Sequence, residues 1–217
     1  MCFSATASLA VAGCTGIVGA FTLRRARSWR ELPLALVPAI FAVQQAIEGA
    51  LWLALERGGG ADIVVVLATV FAVFALVLWP VVAALAPLLL EAQKLRRRLL
   101  QLALGLSIAL AVYFLVVIAG HPYAAAIAGH SLQYDNGILY PDLPRYAYAL
   151  ATVAPLLVSS QRALQLFGLV VTVGLAVSLT LFYAALFSVW CFFAAAGSVV
   201  VFAHFAALRA PLRGRPA

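Results

Sequence analysis

Long apolar stretches, broken by short basic or turn-forming segments, set the pattern of this chain. Taking about 20 apolar residues as the crossing length of a bilayer, spans are predicted at 4–23, 32–55, 62–90, 99–119, 145–160, 164–184 and 188–208. The fifth is short. The last two are cut from one apolar run, Leu164 to Leu208, with the turn placed near Ala184–Ser188. The predicted fold class is all-α: a polytopic membrane bundle of seven transmembrane helices. It forms a single domain over 1–208, followed by a short basic tail at 209–217.

Composition supports this pattern. Of 217 residues, 66% are hydrophobic and only 10% charged, whereas a soluble domain carries roughly 25% charged residues. The net charge of +7 does not point to nucleic acid, because no basic helix or loop is interleaved with exposed aromatics. The basic residues instead follow alternate spans: Arg24, Arg25, Arg27 and Arg30, then Lys94, Arg96, Arg97 and Arg98, then Arg162, then Arg209, Arg213 and Arg215. Only Arg57 and Arg145 fall on the opposite side. By the positive-inside rule the N-terminus is outside and the C-terminus cytoplasmic, in a bacterial cytoplasmic (inner) membrane with the lipid bilayer as its first partner. Residues 1–23 carry no charge before Arg24, so they read as a spanning helix rather than a cleavable signal with its positive leading region.

Within this hydrocarbon one stretch departs from the pattern: Val43-Gln44-Gln45-Ala46-Ile47-Glu48-Gly49-Ala50-Leu51-Trp52. Gln44, Glu48 and Trp52 recur every four residues and Gln45 lies three before Glu48, so all share one helical face. A carboxyl group in mid-span is costly without a partner or water, which marks Glu48 as a candidate functional residue. It sits seven residues, roughly 10 Å, below the outer end of its span at Leu55. Cys2 and Ser4 open the first span, and Trp190 and Cys191 the last, on the same side.

Two further patterns bear on packing. Ala12, Gly16 and Ala20 recur at four-residue spacing, with Gly13 and Gly19 beside them, which predicts a close helix–helix contact in the first span. Trp79-Pro80 lies inside the third span and allows a kink or hinge. The connection from Gly120 to Pro144 holds His121, His130, Tyr123, Tyr134, Tyr140, Asp135 and Asp142; its aromatic content predicts a packed cap over the outer end.

Three readings of the cysteines stay open. Cys2 and Cys191 form a disulfide, which an exported face permits; or they bind zinc or copper together with His130; or they are small hydrophobes. Cys14 lies roughly 18 Å along the helix from Cys2 and does not pair with it. Retinal is excluded because the only lysine, Lys94, lies in a loop. Haem is not expected, since His204 has no second histidine at its depth.

The chain resembles an uncharacterised family of bacterial seven-helix membrane proteins that open with Met-Cys-Phe-Ser-Ala. The resemblance rests on Met1-Cys2-Phe3-Ser4-Ala5-Thr6-Ala7-Ser8, on Gln44 to Trp52, on Trp79-Pro80 and on Ser188-Val189-Trp190-Cys191-Phe192-Phe193-Ala194-Ala195. It implies that these positions matter, and brings no activity with it. The expectation is an outward-facing polar pocket centred on Glu48, supported by Ser4, Gln44 and Gln45 and walled by Trp52 and Trp190. It would serve the binding, sensing or transport of a small molecule or metal ion. One alternative is a metal-dependent enzyme at the outer face, with Cys2, Cys191 and His130 as ligands and Glu48 as general base. Another is a structural subunit, as a homo-oligomer or in a larger complex, with Glu48 paired to a partner's helix.

Overall fold

The computed structural model describes residues 4–138 and 142–207. Helices dominate it: α1 (Ala5–Arg25), α2 (Leu32–Glu56), α3 (Ala61–Ala72), α4 (Trp79–Leu90), α5 (Lys94–Gly120), α6 (Asp142–Val158), α7 (Arg162–Leu181), α8 (Leu186–Ala196) and α9 (Ser198–Ala207). A π-helical segment, Val73–Leu78, joins α3 to α4 in one rod, and α8 and α9 form another, broken at Gly197. Among the described residues six rods are long and apolar enough to cross a membrane; α6 is an apolar helix of 17 residues, below that length. The helices run up and down, so each connection lies at one of two ends. The basic end carries Arg24, Arg25, Lys94 to Arg98 and Arg162. The opposite end carries a feature absent from the all-α expectation, a β-hairpin.

That hairpin, β1 (Ala124–Ala128) with β2 (Ser131–Asp135), occupies the loop expected to be a cap. Its two-residue turn places Gly129 at φ +60°, the left-handed geometry that tight hairpins draw from glycine. Leu132 and Tyr123 are buried, and the Tyr134 ring stacks on Phe71 at 4.6 Å. The Tyr123 N–H donates to Thr69 Oγ1 at 3.0 Å. The cap is therefore fastened to α3.

α1 and α2 form the most extensive antiparallel pair. The buried face of α1 runs through Ala5, Ser8, Thr15, Gly19 and Thr22. This is a stripe rotated from the expected one: Gly13 faces open space and Ala20 is exposed. Thr22 Oγ1 donates to Ala35 O at 2.7 Å, tying the two helices together near the basic end.

The π-helical segment has a chemical cause. In the π register the Trp79 N–H reaches back to Phe74 O, and the next donor in line, for Ala75 O, would be the N–H that Pro80 lacks. The orphaned carbonyl is taken by the Tyr148 hydroxyl at 2.6 Å. Trp79-Pro80 thus fixes Tyr148, on a different helix, to a backbone atom.

At the basic end two loops with parallel sequences lock together. Ala86-Pro87-Leu88-Leu89 leads to Gln93-Lys94, and Ala154-Pro155-Leu156-Leu157 to Gln161-Arg162. Glu91, only 3% exposed, accepts from the Gln93 N–H, the Ser160 N–H and the Ser160 hydroxyl at 3.0, 2.7 and 2.9 Å. Arg96 donates to Val158 O and Ser159 O. Burial alone would raise the Glu91 pKa, but these N–H and O–H donors and the Arg96 guanidinium outweigh it and hold the carboxyl below the usual carboxylate range. A lowered folded-state pKa means that the stabilisation is complete above the unfolded-state value and fades as pH falls through the folded one. Glu91→Gln is expected to lower stability by about 1–2 kcal/mol at neutral pH. In thermal unfolding scans the gap from wild type should stay constant down to the ordinary carboxylate range and close in stronger acid.

Candidate functional site

The polar face of α2 is where the sequence placed it, and it is sealed. Gln44, Gln45 and Glu48 are each 0% exposed. Glu48 Oε1 accepts from the Ser188 hydroxyl at 2.5 Å, and its Oε2 accepts from Gln45 Nε2 at 3.2 Å. One turn deeper, Gln44 Oε1 accepts from Trp79 Nε1 at 2.6 Å, while Gln44 Nε2 donates to Cys191 Sγ at 3.3 Å. Five side chains of α2 and α8 are thus cross-linked in two rungs, and the second rung reaches α4. Ser188 and Cys191 stand three apart on one face of α8; Phe187 and Trp190, one residue earlier in each case, occupy the adjoining face.

That adjoining face lines a cavity of about 410 Å³, within the range of roughly 300–1,000 Å³ typical of small-molecule sites. It lies beneath the β-hairpin between α5, α6, α7 and α8. Its wall is mostly leucine and aromatic rings, with Asp135, Asn136 and Arg145 supplying polarity. Tyr148 and Trp190 also line a second, wholly buried-residue cavity of about 40 Å³ that extends to Leu34, Thr152, Leu156, Leu164 and Phe167. Their rings meet edge to face at 5.6 Å. Both polar tips are turned away into backbone: Tyr148 to Ala75 O, and Trp190 Nε1 to Val171 O at 2.9 Å. Both rings therefore offer carbon to the two cavities that they line in common.

The expected site residues divide accordingly. Gln44, Gln45, Glu48 and Cys191 come together, and Trp190 joins them through α8. Glu48, expected at the centre of an outward-facing pocket, lines neither of these two cavities. Trp52, expected as a wall, is buried among core residues, and its Nε1, like Gln45 Oε1 and Ser8 Oγ, has no hydrogen-bond partner among the described residues. Ser4 caps α1, accepting from the Ala7 N–H at 3.2 Å. His130 is exposed in the hairpin turn. Cys2 lies outside the described residues, as does the basic tail at 209–217. Among the described residues Cys191 is a free thiol, and its expected disulfide partner Cys2 lies outside them. Among the described residues no group of three or more His, Cys, Asp or Glu could hold a metal ion.

Sequence reasoning missed Ser188 as a partner of Glu48, Tyr148, and the Glu91 loop lock. Ser188 stands in the 188–195 stretch that carries the family resemblance, and the repeated Ala-Pro-Leu-Leu segments are the signal that could have found the lock. Nothing local in the sequence marks Tyr148, because its partner is a carbonyl freed by a proline on another helix.

Long apolar rods around a buried polar clamp and a capped cavity define a multi-pass helical membrane protein. The chain belongs to a family of unknown function, DUF6629, matched over residues 1–215. No curated protein and no solved structure matches it.

Proposed function

We propose that this protein binds a small amphipathic molecule in the 410 Å³ cavity, as a binding, sensing or transport protein of a bacterial inner membrane. The observation that carries this reading is the cavity's lining, an apolar and aromatic body with three polar side chains at one end. The charge bias supports seven spans with the hairpin end outside, so the ligand would enter from the exported face. In this reading the Glu48 cluster is not the binding site. It is a clamp that holds α8, and with it Phe187 and Trp190, against the cavity.

The experiment is a comparison of purified wild-type protein with Ala149→Trp, which fills the outer cavity only. Solvent extraction and mass spectrometry of the wild type should release a co-purifying amphiphile in near-stoichiometric amount, and the variant should lose most of it. A folded Ala149→Trp protein that carries the same load as wild type would sink the proposal.

A further inference from the structure

The two cavities, read together, specify the shape of the ligand. We infer that the ligand is a single-chain amphiphile, its polar head under the hairpin and its hydrocarbon chain passing Tyr148 and Trp190 into the inner cavity. This rests on the binding function proposed above and adds the chemical class.

Polarity is graded along the path. Asp135, Asn136 and Arg145 line the outer cavity alone. The inner cavity has two polar side chains, both already engaged: Thr152 Oγ1 donates to Tyr148 O at 2.9 Å, and Cys191 Sγ accepts from Gln44. A polar group drawn into the inner space would find only the remaining acceptor of Thr152 and the weak thiol donor of Cys191, so the polar head is favoured in the outer cavity. Length follows from α6, since Leu156 lies eight residues beyond Tyr148, roughly 12 Å deeper. Width follows from volume. About 40 Å³ is the space of roughly three waters, enough for the last few methylenes of one chain and too narrow for a ring system or a second chain. Tyr148 and Trp190 line both cavities, and because their polar atoms are bonded to backbone they present carbon there, the surface a methylene chain can slide against.

The test is equilibrium binding of radiolabelled palmitic and octanoic acid to the protein in amphipol. Wild type should bind palmitic acid at least about tenfold more tightly, because the extra methylenes are buried. Ala83→Phe, which fills only the inner cavity, should bring palmitic acid down to the octanoic level and leave octanoic acid unchanged. Ala194→Leu is the milder alternative if the phenylalanine disturbs folding. Ala149→Trp should weaken both acids. Equal affinity of wild type for the two acids, or a folded inner-cavity variant that keeps the palmitic advantage, overturns the inference while leaving the outer cavity as a site. Loss of neither acid in Ala149→Trp removes the binding function itself.

Discussion

Glu48→Ala is expected to destabilise the protein by about 2–4 kcal/mol, because it takes the acceptor from two buried donors at once. Those donors are the Ser188 hydroxyl and Gln45 Nε2. Glu48→Gln should behave differently. The new amide keeps an acceptor for Ser188, and its NH₂ can pair with Gln45 once that side chain turns to present Oε1, which has no hydrogen-bond partner among the described residues. The glutamine variant should therefore lose less than half of what the alanine variant loses. Interhelical hydrogen bonds in membranes average only about 0.6 kcal/mol in double-mutant cycles. A cycle of Glu48→Ala with Ser188→Ala that gives about 1 kcal/mol or more would mark this pair as stronger than ordinary helix glue. Reversible unfolding in mixed micelles measures the four proteins of the cycle and the Glu48→Gln variant. A change below about 1 kcal/mol for Glu48→Ala would remove the clamp from the account. Palmitic acid binding provides the functional readout, since a loosened α8 displaces Phe187 and Trp190 from the cavity wall.

How much of this could be read from residues alone depends on the range of the physics involved. Span positions were legible, because hydrocarbon length is a local property; α2 ends one residue from its predicted boundary and α5 likewise. The polar face of α2 was legible for the same reason, since 3.6-residue periodicity puts Gln44, Gln45, Glu48 and Trp52 on one side whatever surrounds them. What that side faces was not. A carboxyl at this depth satisfies its hydrogen bonds equally well against a cavity or against Ser188, and only the packing of α8 decides between them. The hairpin escaped because Ala124-Ala125-Ala126-Ile127-Ala128 has no alternation of polar and apolar residues to mark a strand. Its strand character comes from pairing with β2 and from the glycine turn. The cavity escaped because a void is defined by what several helices leave unfilled, and no single segment records it.

Gly19 offers the sharpest test of the packing that brings α2 to α8. A Cβ built there would lie 2.7 Å from Ala39 N and 2.8 Å from Ala39 Cα, so the obstacle is backbone, which moves only if α1 and α2 part. Gly49 is obstructed by the Leu9 side chain, at 2.7 Å, which can rotate aside, and Gly16 meets Ala42 Cβ at an ordinary 3.6 Å. The expected order of damage for substitution by alanine is therefore Gly19, then Gly49, then Gly16, although all three lie at one helix–helix contact. Overpacking of this kind costs about 1–3 kcal/mol, and Gly19→Leu should exceed about 3 kcal/mol by forcing a larger separation. Parting the helices at Gly19 also stretches the bond from Thr22 Oγ1 to Ala35 O, less than one turn away, so Thr22→Val should be nearly silent in a Gly19→Leu background and damaging in the wild type. Equal losses for the Gly16 and Gly19 alanine variants would mean that the close approach at Ala39 does not govern the pair, and that α2 is held in place from the α8 side alone.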